Sequence, residues 1–329
     1  MEFRTQFAIE PTVHKFTRST KIMTLGSCFS DVIGKRLEEQ KISVSVNPFG
    51  TLFNPISIFK LIHPLYSIPD ERLFAFHQDR WYHYDFHSQF YAESQQALRE
   101  QLQGTIEDVK GKIASLDVLV ITFGTSFVYQ LKGIPSYLAN CHKMPSHLFE
   151  RDLLSVKDIC KAFASTYKAL KEHNPNLRII LTLSPVRHTK DGIPENQVSK
   201  AILRAACHYL VSDYEDVEYF PSYELMMDDL RDYRFYKADM IHPNDVAEQY
   251  IYERFAETYF DEALVQWTKD WGKIQRALAH RPVQEKSKAN QQFLERLLSD
   301  LQRLSEGGIS VEKEVGDVLA KLEKTKNLE

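Results

Sequence analysis

The chain has 329 residues, of which 43% are hydrophobic and 26% charged, and its formal net charge is −4. These fractions are ordinary for a globular protein, and the length suits one large α/β domain with insertions or a domain with an appendage. The charge is spread along the chain without a long basic run, which argues against a nucleic-acid partner. No stretch of about 18 apolar residues occurs, so we expect no membrane span and no membrane partner.

The N-terminal segment contains no apolar run of signal-peptide length, which favours a cytoplasmic protein. The four cysteines are far apart and form no CxxC pair, so neither a zinc ribbon nor a redox dithiol is indicated. Free thiols in a reducing compartment are the simplest interpretation of this spacing. We expect no metal site and no organic cofactor. The cysteines are Cys28, Cys141, Cys160 and Cys207.

Apolar runs and helical periodicities alternate along most of the chain. The pattern predicts strands at 21–25, 42–46, 116–123, 178–183 and 217–220, and helices at 29–40, 94–112, 155–173, 196–214 and 244–260. A further helix begins at Asn54-Pro55, where Asn can cap and Pro suits the first turn. The aromatic and polar alternation of 73–91 predicts a hairpin around Gln78-Asp79-Arg80, and 127–150 is interpreted as loop-rich.

This alternation predicts an α/β fold with three αβα layers, doubly wound and flavodoxin-like, around about five mainly parallel strands. After Asp261 the pattern changes to helices at 263–278 and 287–304, and Gly307-Gly308 separates these from another charged helix. We therefore divide the chain into a domain of residues 1–260 and a helical extension of residues 261–329. The extension either packs on the core or mediates a homodimer, and the sequence leaves both open.

Polar clusters follow the predicted strands at the points where the strands end. In open parallel sheets, ligands bind at the carboxyl ends of the strands, so these clusters predict one common site. Ser27 lies at a strand-to-helix turn, where its hydroxyl is a candidate nucleophile and its N–H is a candidate oxyanion donor. The competing interpretation is that Gly26-Ser27 is turn chemistry and that Ser27 caps the helix.

Asp239 and His242 are three residues apart on a predicted turn, so their side chains can lie side by side. A serine nucleophile needs a base, and the base needs an orienting carboxylate. The pair can supply both roles from one segment, although it also suits a surface turn before a helix. Further oxyanion donors are expected from the Gly50 backbone and from Thr125 or Ser126.

The turn Gly26-Ser27-Cys28-Phe29-Ser30 resembles the GSCFA motif, and residues 16–260 as a whole resemble a GSCFA-domain protein of the SGNH/GDSL hydrolase-like superfamily. The resemblance extends over five further segments in the same order: Asn47 to Pro55, Thr122 to Ser126, Asn140 to Lys143, Ser184 to His188, and Asp239 to Pro243. It implies an SGNH-like fold and a catalytic triad of Ser27, Asp239 and His242. It also implies that Gly50 contributes to the oxyanion hole.

The chain departs from the superfamily pattern at Gly124-Thr125-Ser126, because Ser126 stands where the superfamily has an oxyanion-binding Asn. Two alternatives follow: Asn47 or Asn54 supplies the missing donor, or the oxyanion hole is weaker. Cys28 competes with Ser27 as the nucleophile, but adjacent residues at a turn point in different directions and a lone Cys is more often a small core residue. Candidate substrate-binding residues at the same edge are Asn47, Asn54, His142, Lys143, Arg187 and His188.

These residues predict a serine hydrolase that acts on a carbohydrate or small-molecule O-acyl ester through an acyl-enzyme. The same chemistry with a hydroxyl acceptor gives an O-acyltransferase. A different class also remains open, namely a non-catalytic module that keeps the fold and binds a carbohydrate or acyl ligand. The C-terminal helices leave a third alternative, a scaffold that binds a partner.

Overall fold

A computed structural model of the protein describes residues 4–68 and 70–326. In chain order its strands and helices are β1 (Ile22–Gly26), α1 (Cys28–Glu39), β2 (Val44–Val46), α2 (Pro55–Ile62), β3 (Phe74–His77), β4 (Arg80–His83), α3 (Gln95–Ile113), β5 (Val118–Phe123), β6 (Phe127–Leu131), β7 (Tyr137–Leu138), β8 (Phe149–Leu153), α4 (Val156–His173), β9 (Arg178–Leu183), α5 (Ile193–Asp213), β10 (Val217–Phe220), α6 (Ser222–Glu224), α7 (Asp245–Tyr259), α8 (Glu262–Ala279), α9 (Lys288–Glu306) and α10 (Glu312–Lys326).

The central sheet has five parallel strands in the order β10-β9-β5-β1-β2. Numbered along the chain, this is the 2-1-3-4-5 order of doubly wound, flavodoxin-like folds. Side chains of α1 and α7 pack on one face of the sheet, and side chains of α2 to α5 pack on the other. The predicted three-layer α/β fold is therefore confirmed.

The strands at the centre of the sheet are buried on both faces. All six residues of β5 are buried, as are five of the six residues of β9. Their continuous apolar runs reflect this double burial, because helices cover both sides of a parallel sheet. These runs are the local signal that predicts β5 and β9, and the predicted bounds of β9 agree with the structure to the residue.

The carboxyl edge of the sheet is closely packed where β1 leads into α1. Gly26 has φ +132, and a Cβ at this position would lie 2.1 Å from the carbonyl oxygen of Thr122. Only glycine combines this backbone conformation with such a close approach. The turn that follows Gly26 is thus held directly against β5, at the point where the order of the sheet reverses.

Residues 127–150 differ from the prediction of a loop-rich segment. They contain β6, β7 and the start of β8, which form a separate three-stranded antiparallel sheet. Most side chains of β6 and β8 are only partly buried or exposed, so the segment lacks the long apolar run that identifies a core strand. The predicted hairpin is confirmed as β3 and β4, with Gln78 and Asp79 in its turn.

Helices α8 to α10 share a small apolar core of their own, which includes Trp271, Leu301 and Val318. Two indole N–H groups join this part to the end of α1: Trp267 donates to the carbonyl of Gln40 at 2.8 Å, and Trp271 donates to that of Glu39 at 2.7 Å. Among the helices that the structure describes, none is both long and apolar enough to span a bilayer.

Candidate active site

A cleft of about 460 Å³ lies between α1 and the segment that leads into α7. Cys28, Val32, Lys35 and Glu39 line one wall at helical spacing, so this wall is one face of α1. His242 lines the opposite side. Three acidic and three basic side chains balance each other around the cleft: Asp31, Glu39 and Glu248 against Lys35, Arg36 and Lys237.

Asp239 and His242 form a hydrogen-bonded pair on the turn before α7. Oδ2 of Asp239 lies 2.7 Å from Nδ1 of His242, and Oδ1 accepts from the backbone N–H groups of Ile241 and His242 at 2.8 and 3.0 Å. Met240 has φ +57, and this left-handed residue lets the turn bring the two side chains together. The predicted side-by-side placement is therefore present.

The surroundings of Asp239 keep its carboxylate ionised. Hydrogen bonds from the His242 N–H, the His242 ring and the Ile241 N–H lower the pKa of Asp239 to about 2. A carboxylate that accepts at Nδ1 selects the imidazole tautomer whose Nε2 is free to accept a proton. With side-chain exposures of 42% and 44%, both groups remain open to solvent.

Arg187 was predicted to bind substrate, but its polar contacts support the turn that carries this pair. Its Nη1 donates to the carbonyl of Met240 at 2.9 Å, and its backbone N–H donates to that of Ile241 at 3.2 Å. The guanidinium also lies over the rings of Tyr233 and Tyr236. Arg187 therefore acts on the position of His242 from outside the cleft.

The sequence predicts a Ser27 hydroxyl that points outward, but in the structure this hydroxyl is buried. Its relative exposure is 0%, and its Oγ accepts from the N–H of Phe29 at 3.3 Å as the N-cap of α1. The Ser27 N–H donates to the carbonyl of Thr122 at 3.1 Å and so is not a free oxyanion donor. The alternative interpretation of Ser27 as a helix cap is the one that the structure supports.

Cys28 is the first residue of α1 and, unlike Ser27, lines the cleft with His242. Burial, followed by the Asp31 carboxylate, raises the pKa of the Cys28 thiol. The N–H of Cys28 and the ammonium of Lys200 act in the opposite direction. At neutral pH this thiol therefore needs a base to become a thiolate.

The other predicted oxyanion donors also donate within the protein. The N–H of Gly50 bonds the carbonyl of Asn47 at 2.7 Å, and that of Thr125 bonds the carbonyl of Phe53 at 3.0 Å. The N–H of Ser126 bonds Oγ of Ser199 at 2.8 Å. These N–H groups hold the loops at the ends of the strands. They are therefore not free to form the predicted oxyanion hole.

Asn47 and Asn54 likewise have structural contacts rather than a place in the cleft. Oδ1 of Asn47 accepts from the Gly26 N–H at 2.9 Å, and its Nδ2 donates to Asp31 at 2.8 Å. Asn54 caps α2 by accepting from the Ser57 N–H at 2.8 Å, as its sequence context predicted. Neither amide is available to replace the missing oxyanion-binding Asn.

His142 is packed away from the cleft, between the hairpin and the small sheet. Its exposure is 4%, its Nε2 lies 2.9 Å from the carbonyl of His83, and its ring stacks on Tyr82. Burial lowers its pKa to about 4. The neighbouring Lys143 is exposed, with φ +56. These contacts give His142 a packing role in place of the predicted substrate contact.

Lys200 and the Nε2 atom of His188 are buried polar groups behind the carboxyl edge. Nζ of Lys200 donates to the carbonyls of Ser184 and Gly124 at 2.7 and 2.9 Å, so this lysine ties together the ends of β9 and β5. The His188 Nε2 is buried and has no hydrogen-bond partner among the described residues. Burial, Lys200 and His242 lower the pKa of His188 to about 3, which keeps its ring neutral.

Lys200 was missed by sequence reasoning, because a lysine in a polar helix is normally a surface charge. The one local signal that this part of α5 is buried is the neighbouring small residue Ser199. Ser199 is also buried, and its Oγ accepts from the Ser126 N–H. In the part of the chain that the structure describes, no group of three or more His, Cys, Asp or Glu residues is arranged to hold a metal ion.

Several solved structures are distantly similar to this chain. A carbohydrate esterase of family 3 from Talaromyces cellulolyticus is 11% identical, with coverage of 76% of this chain and 99% of that chain and a TM-score of 0.34. The acetyl xylan esterase Est2A from the rumen bacterium Butyrivibrio proteoclasticus is 12% identical, with coverage of 81% and 67% and a TM-score of 0.35. No curated protein sequence matches the chain.

Two family models match the sequence itself. The model of the GSCFA domain protein, C-terminal domain, matches residues 271–324, and the model of the GSCFA family matches residues 21–255. The second match covers β1 to α7, including the turn at Ser27-Cys28 and the Asp239–His242 pair. Because it spans well over half of the chain, this protein belongs to the GSCFA family.

Proposed function

We propose that this chain is an SGNH-type hydrolase of ester bonds, in which His242 is the general base and Asp239 orients it. The contact that supports this role is the 2.7 Å hydrogen bond from Nδ1 of His242 to Asp239, on a turn that faces a cleft. With Nδ1 engaged, Nε2 is the nitrogen that can take a proton from a nucleophile. The base would then return this proton to the leaving alcohol.

The nucleophile in this scheme comes from the turn between β1 and α1. The sequence assigns it to Ser27, and attack by either Ser27 or Cys28 would give an acyl-enzyme. Water then completes hydrolysis, whereas a hydroxyl acceptor would give acyl transfer. The balanced charges around the cleft favour a neutral polar substrate, such as an acylated sugar or another small O-acyl ester.

The test is ester turnover by the wild type and by His242→Ala. On a panel of p-nitrophenyl esters and acetylated sugars, we expect the substitution to lower kcat/KM by about 10³-fold or more, because the proton acceptor is removed. His173→Ala is the matched control, since His173 is an exposed histidine in the last turn of α4. Equal turnover by the wild type and His242→Ala would contradict the proposal.

One observation favours a second candidate, a non-catalytic module that binds a sugar or acyl ligand. The N–H groups of Ser27, Gly50 and Thr125 all donate within the protein, so an oxyanion would have fewer donors than the sequence predicted. Loss of one such donor costs about 10²- to 10³-fold in rate. A ligand from the panel that raises the Tm, with turnover no greater than that of His242→Ala, would favour this candidate.

A further inference from the structure

We propose that Cys28, and not Ser27, is the nucleophile of this site. The inference rests on the ester chemistry proposed above and identifies the atom that attacks the carbonyl. It makes the protein a thiol-dependent esterase whose intermediate is a thioester.

Ser27 and Cys28 are adjacent, but one side chain is buried and the other faces the cleft. Ser27 has extended backbone angles and is fully buried, and its Oγ caps α1 by accepting from the Phe29 N–H at 3.3 Å. Cys28 is already helical and lines the cleft. Attack by Ser27 would require the cap to break and the hydroxyl to leave the core, whereas Cys28 needs neither change.

The surroundings of Cys28 differ from those of the other three cysteines. The four cysteines lie in different places, and Cys28 is the one that shares the cleft with His242. Cys207 is fully buried on α5, and burial raises the pKa of Cys141 to about 11. Cys160 lies on α4, away from the cleft. A thiol that shares a cleft with an oriented imidazole can be activated as a nucleophile once the two approach within hydrogen-bond reach.

Charged and polar groups around Cys28 act on its sulfur in both directions. Cys28 lies at the N-terminus of a 12-residue helix, where backbone N–H groups favour negative charge. Burial and the Asp31 carboxylate oppose the thiolate, whereas the fully buried Lys200 favours it when it is protonated. Because these effects leave the thiol protonated at neutral pH, the reaction needs His242 as its base.

The reaction balances without an oxidant or cofactor. His242 Nε2 takes the proton from the Cys28 thiol as Sγ bonds to the ester carbonyl carbon. The tetrahedral intermediate collapses, the bond from carbon to the alcohol oxygen breaks, and the imidazolium gives its proton to the leaving alcohol. Water then attacks the thioester and gives a proton to His242, the C–S bond breaks, and the sulfur regains the proton as the carboxylic acid leaves.

Ester turnover by single variants gives the first test. With p-nitrophenyl acetate, we expect Cys28→Ala to lower kcat/KM by about 10³-fold or more, because the nucleophile is lost. Ser27→Ala should lower kcat/KM less than about tenfold, since it removes only the N-cap of α1. Cys160→Ala is the matched control. Turnover that survives in Cys28→Ala but is lost in a folded Ser27→Ala would overturn the proposal.

Mapping the covalent intermediate gives the second test. The mapping uses wild-type protein, so its result does not depend on how the variants fold. Wild-type protein is mixed with p-nitrophenyl acetate, quenched in acid, digested and mapped by mass spectrometry. We expect an acetyl group on Cys28 that neutral hydroxylamine removes, as it does from thioesters. An acetyl group on Ser27 that resists neutral hydroxylamine, or fluorophosphonate labelling that is abolished by Ser27→Ala alone, would overturn the assignment.

A third measurement separates this proposal from the ester function on which it rests. Iodoacetamide should alkylate Cys28 about tenfold more slowly in His242→Ala than in the wild type, with no change at Cys160, because the thiol has lost its base. Slower alkylation of Cys28 in His242→Ala, together with no turnover of any ester, would contradict the proposed ester hydrolysis but support the interaction of the Cys28 thiol with the His242 imidazole. Equal rates at Cys28 in both proteins would overturn the pair itself.

Discussion

The carboxyl edge of the sheet has two flanks that use similar residues in different ways. On the cleft flank, formed by Cys28, Asp239 and His242, the imidazole is oriented through Nδ1 and both members of the Asp–His pair are open to solvent. On the packed flank, formed by Gly50, Thr125 and Ser126, every backbone N–H donates within the protein. Polar residues at strand ends can thus hold loops together as readily as they can bind a ligand.

The difference between the flanks has a simple physical origin. Backbone N–H groups in buried loops must be paired, because an unpaired buried donor costs about 1–3 kcal/mol. The packed flank meets this requirement with Phe53, Asn47 and Ser199. The pair on the cleft flank is exposed, so solvent and substrate can satisfy its remaining polar atom. Substitutions on the cleft flank should therefore change activity, and substitutions on the packed flank should change stability.

The largest effect should come from Asp239→Asn. The amide can still bond the ring, but it no longer selects the tautomer with a free Nε2, so we expect kcat to fall by about 10⁴-fold. Stability should change little, because the Asp239 side chain is 44% exposed. Ester turnover and urea unfolding measure the two effects separately, with Asp270→Asn on α8 as the control. A fall in kcat of less than about tenfold would contradict the role given to this carboxylate.

The matching substitution on the packed flank is Ser199→Ala. It removes the acceptor of the Ser126 N–H, whose hydrogen bond is 2.8 Å long, and leaves a buried donor unpaired. We expect the free energy of unfolding to fall by about 1–3 kcal/mol, with turnover by the folded protein largely kept. Loss of turnover at unchanged stability would mean that the packed flank takes part in the reaction.

Much of this arrangement follows from the sequence because its signals are local. The strands β5 and β9 are mainly apolar runs, and Asn54 caps the helix that follows it, as predicted. The spacing of Asp239 and His242 brings the pair together within one turn. Each of these features depends on a few consecutive residues, and no distant contact is needed to form it.

The features that the sequence did not predict depend on distant contacts. Ser27 is an exception, because its side chain caps α1 at Phe29, two residues away, and the sequence left this alternative open. Lys200 is buried because the carbonyl groups at the ends of two strands converge on α5. The small sheet around β6 was missed since its strands are half-buried and carry no strong pattern.

The last predicted effect concerns Lys200, which donates to the carbonyl of Gly124, next to the packed flank, and acts electrostatically on Cys28 of the cleft flank. Burial lowers the pKa of Lys200 to about 7 from its usual value of 10.5, so between these values the unfolded chain holds the proton more often than the folded one. Stability should therefore rise with pH over this range, by up to about 1.4 kcal/mol per pH unit. Lys200→Met removes this contribution and should flatten the dependence measured by urea unfolding at pH 7, 8 and 9. The exposed Lys161→Met is the control, and parallel curves for the wild type and Lys200→Met would mean that Lys200 stays charged in the folded protein.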